Sequence, residues 1–226
     1  HYPLRRQRQM CIRDSMETDY YPRLSAVPEL GRQFNAVVNR QIEVSVLLLS
    51  PLLVAFIVFV PVLLPLLFSS KFLPVLRMLQ VAVLSLYARV LFIPVEYISL
   101  SRKDSVAYIT VETLSYAMLF VSIVVGYCLG GLFGIGVGMT VANVAELLLV
   151  VCFYRARFRY AFSRKVVRIV SVQILLGIIA YACTWIDNLF GYWVSGLIAF
   201  ALSASFSMRL LRKKSDIIDG LKKKFK

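Results

Sequence analysis

The chain has almost none of the residues from which metal centres and thiol active sites are built. His1 is its only histidine, and the four cysteines (Cys11, Cys128, Cys152 and Cys183) stand apart, with no CxxC or Cys/His spacing. A zinc site and thiol catalysis therefore have no support, and neither a metal nor a cofactor is expected. Acidic residues are scarce as well, 12 Asp and Glu against 26 Lys and Arg. No stretch fits a phosphate-binding loop. "GIGVG" lacks the GxxxxGK[ST] pattern and a preceding strand.

What the chain does have is apolar sequence. Its 226 residues are 59% hydrophobic and 17% charged, with a mean hydropathy of +0.75. Soluble domains average about 45–50% apolar and about 25% charged. A water-soluble core of this size cannot hide the excess, so a membrane protein is expected. Six apolar segments run roughly over 44–68, 75–98, 105–129, 132–154, 166–186 and 190–211. Each is long enough as a helix to cross an apolar layer of about 30 Å. A barrel strand would alternate, whereas "VSVLLLSPLLVAFIVFVPVLLPLLF" (44–68) is apolar on every face. A helix also satisfies its own backbone, as lipid requires. The expected fold is an all-α membrane protein of six transmembrane helices, with a connector over 16–43, a helical domain over 44–212 and a basic tail over 213–226.

The connections are short, so neighbouring helices run antiparallel. Counted by side, nineteen Lys and Arg fall on one surface and only Lys71 on the other, with Arg77 and Arg89 inside a span. Such asymmetry places the basic surface, and both ends of the chain, in the cytoplasm. Trp185, Tyr192 and Trp193 mark the outer interface, and Tyr154, Phe158 and Tyr160 the inner one. Basic residues that flank apolar runs point to anionic lipid headgroups and argue against nucleic acid. The tail "RKKSDIIDGLKKKFK" spaces Ile217, Ile218, Leu221 and Phe225 at helical intervals. Two readings of it stand, an amphipathic helix on the inner leaflet and a disordered basic tail. The cysteines read as small packing residues. A Cys128–Cys183 disulfide near the outer face is conceivable but disfavoured.

Residues 1–15 have no apolar run or cleavage site of a signal peptide. "RQRQMCIRDS" (6–15) resembles a translated remnant of sequencing adapter. This strip is read as non-native, with native sequence from about Met16, in the middle of a longer protein.

Charge within a span costs about 2.5–3.5 kcal/mol on insertion scales, so intramembrane polar residues are the functional candidates. They are Arg89, Glu112, Glu146 and Asn143, then Arg77 and Gln80. Arg89, Glu112 and Glu146 lie at similar depths, so Arg89 is expected to pair with one of the two carboxylates or to face a water-filled cavity. The plain alternative is an ion pair that orients packing. For Arg77 and Glu96, near helix ends, snorkelling to the interface is the favoured account. Gly130, Gly134, Gly138 and Ala142 recur every four residues, a stripe that lets helices approach closely. Pro51, Pro61 and Pro65 interrupt the first span and are hinge candidates.

Four stretches, taken in order, resemble the polysaccharide transporter family, the oligosaccharide and O-antigen flippases of the multidrug/oligosaccharidyl-lipid/polysaccharide superfamily. They are "DYYPRLSAV" (19–27), "VVNRQIEVSVLLLSPLL" (37–53), "LLFSSKFLPVLRMLQ" (66–80) and "GLFGIGVGMTVAN" (131–143). The resemblance covers about 19–165, with 166–212 fitting a terminal helix pair. It implies two pseudo-symmetric lobes, of which this chain would be mostly the C-terminal one, partnered by an N-terminal lobe. It also implies a bacterial inner-membrane transporter that flips a polyprenyl-pyrophosphate-linked oligosaccharide for lipopolysaccharide or other surface polysaccharide, and not an enzyme. Arginine suits the pyrophosphate because its planar fork binds phosphate oxygens in pairs. The alternatives are a multidrug exporter of the same superfamily, with a more acidic or apolar cavity, and a scaffold of the polysaccharide assembly machinery. A membrane polymerase or ligase would want a large outer loop, and all three outer loops here are tiny. Reporter fusions should place the turn at Phe133 outside the cell and the one at Phe158 inside. The reverse at either site would overturn the topology.

Overall fold

In a computed structural model, the described residues are 19–68, 70–186 and 188–224, with side chains given through 213 except that of Ser70. The basic strip at 1–15 lies outside them. Among the described residues the chain is helical, without strands. Helix α1 is Tyr21–Ser25, α2 is Arg32–Leu67, α3 is Leu76–Ser101, α4 is Ser105–Phe158, α5 is Arg164–Cys183 and α6 is Leu189–Lys224, with a 3₁₀ turn over Ser70–Val75 between α2 and α3. Five helices are long and apolar enough to cross a membrane.

Several boundaries differ from the sequence reading. The connector over 16–43 is largely helical, because α2 begins at Arg32, well before the apolar run. Helix α6 continues through the basic tail to Lys224 as one rod. Helix α2 runs through Pro51, Pro61 and Pro65 without interruption. The spans expected at 105–129 and 132–154 lie in one 54-residue element that breaks at Gly130 (φ −142°, ψ 18°) and Gly131 (φ 57°, ψ −138°).

That break is a reversal. A side chain placed on Gly134 would strike the backbone of Gly126, and one on Gly138 would strike the carbonyl of Ser122. Residues equidistant from the turn therefore face each other, and the arms 105–129 and 132–158 lie antiparallel. Gly134 and Gly138 thus form a close seam, and Ala142 is buried. Gly130 is not on the seam: it stands in open space within the turn. The opposite face of the second arm makes another close approach, where Gly136 meets the Met78 backbone of α3.

Helix α3 is the centre. Helix α4 rests chiefly on it, and α2 connects it to the α5–α6 pair. Over their most apolar stretches α3 is 56% buried and α4 only 6%. One apolar core gathers Phe34, Ile42, Phe92, Val95, Tyr154 and Tyr160. A second joins Ile57, Val58, Tyr87, Ala180 and Ala199. Between α5 and α6, buried Ser203 Oγ donates to Gln173 Oε1 (2.7 Å), and Gln173 Nε2 donates to Ser207 Oγ (2.8 Å).

Side chains close the short loops at the end that carries the basic residues. The Asp104 carboxylate caps α4 by accepting from the Ala107 N–H (3.1 Å) and pairs with Arg157 at the far end of the same helix (3.1 Å). The Ala107 bond, then that from Arg157, holds its carboxyl below the usual aspartate range. Arg102 donates to the carbonyls of Val27 and Pro28 (2.9 Å each) and lies over the Phe34 ring. Asn39 donates to Ala161 O (3.0 Å) and accepts from Ser163 N (2.8 Å). Lys165 pairs with buried Glu43 at 2.8 Å. Cys128, Cys152 and Cys183 are free thiols.

Gly134→Ala or Gly138→Ala should cost roughly 1–3 kcal/mol by overpacking backbone against backbone. Gly130→Ala should leave stability near that of the parent. Thermal unfolding of the three variants in detergent checks this ordering.

Candidate functional site

Two registers decide which polar residues meet. Across the α4 turn, Gly126 faces Gly134 and Ser122 faces Gly138, so Glu146 falls level with Leu114, between Glu112 and Ser115. Against α3 the second arm runs parallel. Thr140 Oγ1 donates to Val81 O (3.0 Å), and Tyr154 OH donates to Glu96 O (3.3 Å), offsets of 59 and 58 residues. The same offsets put Glu146 level with Tyr87 and Ala88, next to Arg89. Three separate stretches of sequence therefore deliver their charges to one height.

They meet at a cavity of about 360 Å³ between α3 and both arms of α4, which α2 touches through Ser45 and Leu49. Arg89, Glu112, Glu146 and Asn143 all line it. So do Glu96 and Ser115, which the sequence reading did not place in the site. Exposure grades across the lining. Glu96 (6% exposed), Ser115 (4%) and Asn143 (4%) form a buried floor. Glu112 and Glu146 are half-buried, and Arg89 and Tyr116 stand exposed at the rim. The volume lies in the range of small-molecule sites, about 300–1,000 Å³.

The hydrogen bonding of the floor is incomplete. Glu96 Oε1 is buried without a hydrogen-bond partner, while the Ser115 hydroxyl faces the Glu146 carboxylate. Asn143 Nδ2 donates to Met139 O of its own helix (2.8 Å), which leaves its second N–H and its carbonyl oxygen for other partners. Among the described residues, no ion pair within 4 Å joins Arg89 to a carboxylate. Of the two expectations for Arg89, the structure gives the cavity rather than the pair. A site with these groups can bind a polar solute by hydrogen bonds and charge. Among the described residues no cluster of His, Cys, Asp and Glu could hold a metal ion.

The remaining candidates lie elsewhere. Arg77 donates to Thr184 O at 3.1 Å, with its guanidinium 4.9 Å from the Trp185 ring centre, so it caps the end of α5. Gln80 is buried against α2, where Nε2 donates to Ile57 O at 3.5 Å, and does not line the cavity. Glu96 corrects the snorkelling account. Helix α3 runs on to Ser101, so Glu96 sits more than a turn inside and is buried. Its spacing was a usable signal. Glu96 follows Arg89 by seven residues, two helical turns on one face.

Comparison with known protein families, with curated proteins and with solved structures finds no match to this chain.

Glu96→Gln should fold and melt at the same or a higher temperature than the parent. It keeps the side-chain shape and removes a buried charge, one oxygen of which has no hydrogen-bond partner, and a buried charge so placed is costly. A lower melting temperature in detergent would show that the Glu96 charge supports the fold.

Proposed function

We propose that the chain is one lobe of a membrane transporter that moves a polyprenyl-pyrophosphate-linked oligosaccharide between leaflets of the bacterial inner membrane. The observation that carries this reading is a charged, half-open cavity set among helices apolar enough to cross a bilayer. Charge at such depth is costly and is retained where it meets a polar cargo. The resemblance of four ordered stretches to the flippases supplies the cargo class. Anionic lipids would contact the basic surface, and a second lobe would complete the pathway.

In this reading the chain crosses the membrane six times, with both ends inside. A straight helix of 54 residues would be about 81 Å long, far more than a hydrocarbon layer of about 30 Å. Each arm of α4, folded at Gly130–Gly131, is about 37 Å or more and matches one crossing.

One observation favours a second reading. The cavity holds three carboxylates and one guanidinium, a balance that suits the export of a cationic solute. Reconstitution in proteoliposomes separates the two. A flippase should translocate a fluorescent polyprenyl-pyrophosphate oligosaccharide, and Arg89→Ala should slow it at least tenfold. Efflux of a cationic dye without lipid flipping would favour the exporter. Absence of both activities, with the upstream lobe supplied, would leave the scaffold reading.

A further inference from the structure

Basic side chains for a pyrophosphate would be expected deep in a flippase cavity. Here the order is reversed. Arg89 is at the rim, and the floor presents Glu96 with one buried carboxylate oxygen unpartnered. Glu112 and Glu146 line the same cavity as Glu96, with Arg89 as its one basic side chain. A phosphate driven to this depth would meet three carboxylates and lose its solvation without compensation. A donor-rich cation would instead fill the empty acceptor positions and offset the excess negative charge.

We infer that the floor of the α3–α4 cavity, Glu96 with Glu112 and Glu146, binds a protonated primary amine. This rests on the transport reading and deepens it: the amine belongs to the cargo, and the phosphate stays at or beyond the Arg89 rim. An ammonium offers three N–H donors. Glu96 Oε1, the Glu112 and Glu146 carboxylates and the Asn143 carbonyl are acceptors in the lining. Charge-assisted bonds of this kind are roughly twice as strong as neutral ones. Tyr97 and Tyr108 line the same cavity. A protonated amine could come from an amino sugar of a glycan or from a lipophilic amine, and the two are separable.

The test is binding to the full chain in nanodiscs at neutral pH, followed by calorimetry. The probes are D-glucosamine against N-acetyl-D-glucosamine, hexylamine against N-hexylacetamide, and inorganic pyrophosphate. At least one amine should bind tenfold or more tighter than its acetylated counterpart, which keeps the parent skeleton and loses the charge. Glu96→Gln, with its melting temperature as the folding control, should reduce that preference to threefold or less. Tighter binding of glucosamine than of hexylamine assigns the amine to a glycan, and the reverse order assigns it to a lipophilic cargo. The inference is overturned if neither amine is preferred, if Glu96→Gln leaves the preference intact, or if pyrophosphate displaces the bound amine. Binding is read without transport. A cavity that prefers amines in a protein that flips nothing would therefore sink the transport reading and leave this one standing.

Discussion

Backbone contact at the α4 seam is the constraint on which the site depends. Gly134 and Gly138 approach the backbone of Gly126 and Ser122 so closely that no side chain fits between them. Where two such apolar helices stand in lipid they have no hydrophobic reason to associate, and van der Waals packing at small residues then supplies the attraction. The seam also sets the register. Sliding one arm by a turn would part Glu112 and Ser115 from Glu146 and Asn143, and the cavity would lose its shape. The second close approach, Gly136 on Met78 with Thr140 bonded to Val81 O, fixes the same arm against α3. Glycines on two faces of one arm thus bring charges from three stretches of sequence to a single height.

Much of this was legible in the sequence, for physical reasons. Apolar runs of bilayer length can only be helices, and the depth of Arg89, Glu112 and Glu146 could be read from helical rise alone. The glycine stripe pointed to close packing. It failed at Gly130, because a period of four continues through a turn as readily as through a helix. Gly126, on the opposing arm, continues the same period of four one step before Gly130 and was overlooked. Glu96 was misread because the apolar run ends before the helix does, so it looked like an end residue. Arg77 and Gln80 have the same composition signal as Arg89. Only tertiary neighbours distinguish them: Arg77 finds the end of α5 and Gln80 finds α2, while Arg89 finds the cavity.

The graded lining changes what an arginine within an apolar helix means. Considered alone, Arg89 reads as a phosphate ligand. Beside three carboxylates it reads as a counter-charge at the entrance, and the chemistry of the floor is set by acceptors. Glu96 Oε1 sharpens this, since a buried polar atom left unpaired costs about 1–3 kcal/mol. Such an atom in the lining of a cavity is better understood as one side of a polar contact than as a defect of packing.

The position of the cavity in the bundle has a consequence for its opening. It lies between α3, the most enclosed helix, and α4, the least enclosed. Helix α4 rests chiefly on α3, so widening the cavity has to part these two and disturbs little else. At the basic end the parting is resisted. Asp104 holds Arg157 across the two ends of α4, Asn39 binds the loop that follows it, and Tyr154 reaches Ser99 (2.6 Å) and Glu96 O on α3. Toward the Gly130–Gly131 turn, the two helices are joined by the Gly136 approach to Met78 and the Thr140 bond to Val81 O. Glu96 is therefore tied through its own backbone carbonyl to the clamp that resists opening.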